Sequence, residues 1–161
     1  MIDSIAGVIL SRGDEAVVID VQGIGFRLDV PASTTQAVGA VGAPARLLAR
    51  LSFNTNEGTF QLFGFATESE RECFDILTSI NGIGPRKALG ILSQIEIAKF
   101  ARAILTNDLK YLASIKGVGK KTAERLVVEL REKMAAYGAG ESAATPGAPA
   151  GPVLLGGVKD A

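Results

Sequence analysis

The chain of 161 residues contains no histidine, no tryptophan and a single cysteine, Cys73. Without histidine there is no imidazole acid–base chemistry, and no Cys/His zinc cluster can be assembled. One cysteine excludes an internal disulfide, and its place beside Phe74 in an apolar stretch marks a small buried hydrophobe rather than a nucleophile. Two tyrosines give little platform for stacking unpaired bases, which favours duplex shape over single strands as a ligand. No apolar run reaches membrane-spanning length, and the start MIDSIAGVIL lacks a basic n-region. A cytoplasmic protein with no membrane partner is the expectation.

Formal charge is also missing: 17 Lys/Arg balance 17 Asp/Glu. The balance hides an asymmetry. Residues 1–65 carry four Lys/Arg against six Asp/Glu, a net of −2, whereas residues 66–137 carry twelve against nine, a net of +3. A local basic excess fits one binding face better than a generally basic protein.

That basic region contains a near-duplicate. FDILTSINGIGPRKALGIL (74–92) and LKYLASIKGVGKKTAERLV (109–127) agree at Leu77/Leu112, Ser79/Ser114, Ile80/Ile115, Gly82/Gly117, Gly84/Gly119 and Ala88/Ala123. Each copy reads as helix, Gly-hydrophobic-Gly hairpin, then a second helix opening on basic residues. The glycines allow positive φ or close approach of another chain, and Ile83 and Val118 are placed to pack down between the helices. The helix start beyond each hairpin exposes unpaired N–H groups at its positive end, an anion site for which phosphate is the usual occupant. Pro85 suits a first helical turn. Arg86 and Lys87 follow the first hairpin; Lys116, Lys120, Lys121 and Arg125 surround the second, with Lys110 one helix earlier. Main-chain and lysine contacts of this kind position DNA without reading its bases. A plain helical hairpin with solvated lysines is the competing reading for one copy; two basic copies weigh against it.

Two nucleotide motifs fail on inspection. A P-loop needs glycine where Ser114 stands, and a dinucleotide fingerprint needs glycine where Lys87 stands. No cofactor is expected.

The first 65 residues read as five short strands (Ile5 to Leu10, Ala16 to Val21, Phe26 to Val30, Ala45 to Phe53, Thr59 to Phe65). Arg12-Gly13-Asp14 and Gly23-Ile24-Gly25 are the expected turns. A short helix over Ser33 to Val38, opened by Pro31 and capped by serine, separates the third and fourth strands, an arrangement that suits a small OB-type barrel. Thr67 and Glu70 form a capping-box pair that opens a helical region running to Tyr137, broken by the hairpins and Thr106-Asn107-Asp108. Leu126, Val127, Leu130 and Met134 give the last helix an apolar stripe, equally suited to core and to subunit contact. The fold class is therefore α+β and multi-domain: a five-stranded OB-like barrel (1–65), an all-α domain with two helix-hairpin-helix motifs (66–138), and a Gly/Ala/Pro-rich flexible linker (139–157) before residues 158–161.

This order of parts resembles the RuvA family, the bacterial Holliday-junction recognition subunits of a branch-migration complex. The resemblance rests on QLFGF (61–65), NGIGP (81–85) and KGVGKKTAERL (116–126), and covers residues 1 to about 138. It implies a non-enzymatic subunit acting in recombination, repair and the SOS response. DNA would be held at Asn81, Gly82, Ile83, Gly84, Arg86, Lys87, Lys116, Gly117, Val118, Gly119, Lys120, Lys121, Thr122 and Arg125. It also implies homotetramers or octamers gripping the minor-groove side of four-way junction arms, with a RuvB-type hexameric ATPase and a RuvC-type resolvase as partners. The family's acidic pin falls on Glu57 and Gly58, so one of two acids is kept. Residues 158–161 resemble the start of a motor-binding third domain, and a shortened chain is expected to bind junctions without recruiting the motor. The alternatives from other classes are a helix-hairpin-helix glycosylase or nuclease, and a protein-binding scaffold.

Overall fold

The computed structural model describes residues 2–140, with side chains through Arg131. Five strands, β1 (Ser4–Arg12), β2 (Ala16–Val21), β3 (Ile24–Asp29), β4 (Pro44–Asn54) and β5 (Thr59–Phe65), close a barrel in the order β1-β2-β3-β5-β4. Neighbours are antiparallel except β3 and β5, which meet in parallel at Asp29 and Phe63. Alternation drives the closure: Ile5, Ile9, Val17, Ile19, Leu28, Leu47 and Ala49 point inward and are buried. The helix α1 (Ala32–Ala37) fills the connection from β3 to β4.

Local chemistry moved two expected features. The β2–β3 turn lies at Gln22 and Gly23, not across Gly23 to Gly25, so β3 begins two residues earlier than its apolar run suggests. Gln22 (φ 54°) and Gly23 (φ 89°) both adopt left-handed backbone, and Asp20 accepts the Gly23 N–H at 3.0 Å. A two-residue turn of this hand matches the strand twist, leaving Gly25 to pair with Asp20 inside the sheet. The second correction concerns Ser33. Pro31 is the N-cap of α1 and no side chain caps it. Ser33 instead donates its hydroxyl to Glu70, across the boundary between barrel and helices.

Glu70 organises that boundary. The capping box is complete: Thr67 accepts the Glu70 N–H at 3.2 Å and Glu70 accepts the Thr67 N–H at 3.1 Å, so α2 (Glu68–Thr78) starts where expected. The same carboxylate accepts from the Thr34 hydroxyl and the Ala66 N–H, each at 2.9 Å. Arg50 of β4 adds a second tie, its Nε donating to both Asp75 oxygens at 2.8 and 2.9 Å. The barrel and the first helix are thereby joined by buried and half-buried hydrogen bonds as well as by Phe63, Phe65 and Phe74, whose rings pack about one cluster.

Beyond α2 come α3 (Pro85–Leu92), α4 (Ile97–Leu105), α5 (Leu109–Ser114) and α6 (Lys120–Gly140). A break at Ser93 to Glu96 divides α3 from α4, an interruption that the apolar periodicity conceals because Ile91, Leu92 and Ile95 continue the pattern. Asp108 caps α5 by accepting the Tyr111 N–H at 3.0 Å. Leu126, Val127 and Leu130 are buried in the helical core, which assigns the described part of the α6 stripe to intradomain packing. Helix α6 also takes in Ala139 and Gly140, the first two residues assigned to the linker. The Met134 side chain, the linker from residue 141, and residues 158–161 lie outside the described residues.

Candidate nucleic-acid interface

The duplicated sequence segments form duplicated structure, bond for bond. In the first unit the Ile80 N–H donates to Leu77 O (3.2 Å), Ile83 to Ile80 O (3.0 Å) and Ala88 to Gly84 O (2.9 Å). Thirty-five residues later, Ile115 donates to Leu112 O (3.3 Å), Val118 to Ile115 O (2.9 Å) and Ala123 to Gly119 O (2.9 Å). Ile83 and Val118, each 3 % exposed, anchor the turns from below. Asn81, Arg86, Lys116, Lys120, Lys121 and Arg125 are exposed, while Lys87 and Thr122 are partly so.

The two glycines of each hairpin have different work. Gly82 and Gly117 sit at φ 89° and 91°, which costs an L side chain about 1–2 kcal/mol. Gly84 and Gly119 are under no such constraint: Gly84 has φ −78° and ψ 171°, and a Cβ at either position would meet nothing within 4 Å. Among the described residues nothing requires glycine there, and the missing Cβ leaves the surface open to close approach of another chain.

Each open glycine borders a helix start without a capping side chain. Gly84 is the N-cap of α3 and makes no side-chain bond, and Gly119 precedes α6. The first-turn N–H groups of Arg86 and Lys87, and of Lys121 and Thr122, therefore face outward. Neither first turn carries an acid, and both carry cations. Cations at a helix N-terminus oppose the macrodipole and cost a few tenths of a kcal/mol or more. Among the described residues, no carboxylate forms an ion pair with Arg86, Lys87, Lys110, Lys116, Lys120, Lys121 or Arg125. Folding gains nothing from this arrangement, but a bound phosphate would reverse its sign.

Replacing Gly119 by aspartate separates the two accounts. As an N-cap, aspartate satisfies an orphan N–H and is expected to raise stability by about 0.5 kcal/mol. At the same point its charge would repel a phosphate, so DNA affinity should drop about tenfold. A melting curve and a gel shift on the same preparation check both signs.

Two contacts that sequence reasoning missed bring the hairpins together. Gln94, just past α3, donates its amide to Lys116 O (3.3 Å) and accepts the Lys116 N–H (3.0 Å). Arg125 reaches back from α6 to the Asn81 carbonyl at 3.5 Å. Neither partner could be found from periodicity, because both contacts span long sequence separations.

Glu57 lies apart from the hairpins, at the tip of the β4–β5 ribbon. Asn54 Oδ1 accepts from the Asn56 and Glu57 N–H groups at 3.1 and 3.3 Å, leaving the Glu57 side chain exposed. Gly58 has φ 63°, a backbone that glycine adopts freely.

Four of the acids elsewhere are occupied by structure. Asp3, Glu68 and Asp75 pair with Arg50 and Arg71, and Glu70 holds the barrel boundary. Among the described residues no group of three or more His, Cys, Asp or Glu is placed to hold a metal ion, and no helix is long and apolar enough to cross a membrane. Burial, aided by the charge of Glu70, pushes the Cys73 thiol up to about 12, which keeps it protonated.

Comparison with known proteins agrees with this architecture. Residues 1–64 match the family described as RuvA N terminal domain, and residues 74–132 match the SAM-like Helix-hairpin-helix tandem. The chain is 40 % identical over 149 residues to the Holliday junction branch migration complex subunit RuvA of Symbiobacterium thermophilum, spanning 92 % of this chain and 72 % of that protein. It is 43 % identical over 134 residues to the protein of the same name from Nitrosospira multiformis, covering 83 % and 67 % of the two. The Cupriavidus necator counterpart is 41 % identical over 152 residues, with 94 % and 76 % covered. With both of its structured halves matched and identity sustained across them, the chain belongs to the RuvA family.

Proposed function

We propose that this chain is a junction-binding subunit of a branch-migration complex, acting in DNA recombination and repair in the cytoplasm. It holds four-way DNA through its paired hairpins while a RuvB-type ATPase supplies the work, and it performs no chemistry itself. One observation carries the reading. Two hairpins with matching backbone hydrogen bonds present open glycines and helix starts that carry cations and no acid. The contacts would fall on phosphate and sugar, so recognition is of shape rather than sequence. Among the described residues no cluster of carboxylates favours the glycosylase or nuclease alternative.

The barrel supports assembly into tetramers. Strand β4 pairs with β1 only over Pro44 to Leu48, so residues 51–54 and 59–62 pair only with each other. One face of this projecting ribbon carries exposed Leu51, Phe53 and Phe60, the two rings 5.0 Å apart. A two-stranded ribbon is marginal alone, and an exposed apolar face on it calls for cover by another subunit. In such a ring the tip residue Glu57 would approach the centre, where its charge would repel phosphate and part the strands at the crossover. A RuvC-type resolvase would act on the same open junction.

The test is a competition between a four-way junction and linear duplex of equal length at matched salt. Binding at least about tenfold tighter to the junction is expected, because several arms are held at once and each added grip acts at high effective concentration. Equal affinity for the two substrates would overturn the reading.

A further inference from the structure

The four-residue elbow from Ser93 to Glu96 between α3 and α4 is where three parts of the molecule meet. Ser93 Oγ accepts the Ala32 N–H at 3.1 Å and donates to Leu89 O at 3.0 Å, tying the end of α3 to the barrel's helix α1. Gln94 turns the other way. Its amide takes both main-chain groups of Lys116, the residue that opens the second hairpin, and its Nε2 is also held by Gly90 O at 2.7 Å. The Gln94 N–H donates to Ile91 O at 2.9 Å, which fixes the backbone from which the side chain reaches. A side-chain amide that pairs with both the N–H and C=O of one residue imitates a strand-to-strand contact. It constrains position along and across the chain together.

We infer that Gln94 is a positioning residue for the DNA interface: it sets the spacing between the two hairpins so that both meet phosphates of one duplex arm. The inference rests on the duplex-grip reading of the hairpins. Each grip alone takes only a few contacts, so affinity depends on both engaging without a fresh ordering cost. Among the described residues the other direct hydrogen bond between the two units is the 3.5 Å contact from Arg125 to Asn81, too long to hold spacing alone. Gln94 is itself exposed, and its bonds are worth little to global stability. Their value is in registration.

Three measurements test this on Gln94→Ala and on Gln94→Met, which keeps the stem without the amide. Duplex and junction affinity should both fall about fivefold, with the melting temperature within about 2 °C of the parent. The slope of log affinity against log salt should not change, because no phosphate contact is removed. Spin labels at Ser79→Cys and Ser114→Cys, equivalent sites in the two units, should give a broader distance distribution in the free variant than in its parent. Buried, protonated Cys73 would stay unlabelled. Unchanged affinity or an unchanged distance distribution overturns the inference, as does a salt slope shallower by about 1, which would make Gln94 a direct phosphate ligand. Failure of the parent chain to bind any DNA would sink the duplex-grip reading instead, so the two failures are distinguishable.

Discussion

Reversing Lys120 and Lys121 to glutamate is expected to lower junction affinity about a hundredfold while leaving the fold at least as stable. The first half follows from counting phosphates. Each lost cation–phosphate contact is worth roughly a factor of ten, and the new acids add repulsion to the loss. The salt slope should fall by about two, one for each contact removed. The second half follows from where the residues sit. Lys120 and Lys121 are the first two residues of α6, a turn that carries no acid and lies at the positive end of a helix of 21 residues. Glutamates there would meet the dipole favourably, by about 0.3–1 kcal/mol for each residue. Opposite signs for binding and stability are hard to produce by misfolding. Fluorescence anisotropy across a salt series, paired with calorimetry, reads both. A loss of affinity together with a lowered melting temperature would mean that the lysines serve the fold.

The sequence carried much of this because the signals were local. The Gly-x-Gly spacing and Pro85 declare a helix start, which the following basic residues mark as a candidate phosphate site, and the Thr67/Glu70 pair declares another start. Apolar runs bounded by turn residues located all five strands to within about two residues, since each has one face on the barrel core. What stayed hidden depends on contacts distant in sequence or on conformations shared by several residue types. The Gln22 turn needed a left-handed glutamine, which composition does not advertise. Ser33 had the chemistry of a cap, yet its hydroxyl found a carboxylate 37 positions away. Gln94 reads as an ordinary surface residue until Lys116 arrives beside it. The elbow itself escaped because apolar residues on both sides keep helical spacing through the break.

Glu70→Ala is the substitution expected to cost the fold most, about 3 kcal/mol. This carboxylate accepts from the hydroxyls of Ser33 and Thr34 and from the N–H groups of Ala66 and Thr67. Thr34 is fully buried and Glu70 only 6 % exposed, so water cannot freely replace what is lost. Of the four donors, only Ala66 has a second acceptor, the Thr34 hydroxyl at 2.9 Å. Leaving a buried donor unpaired costs about 1–3 kcal/mol, and partial relaxation toward solvent keeps the total near the upper end of one such loss. The melting temperature should fall by roughly 10 °C for a chain of this size. Glutamine at the same place can still accept through its single oxygen, so Glu70→Gln should lose about half as much. The two variants also distinguish a lock from a mere cap. A capping box alone is worth about 1 kcal/mol and affects one helix end. A lock between barrel and helices should also speed hydrogen exchange in α1 and at the β5–α2 junction together, on both sides of the boundary. Exchange confined to α2 would reduce Glu70 to its cap.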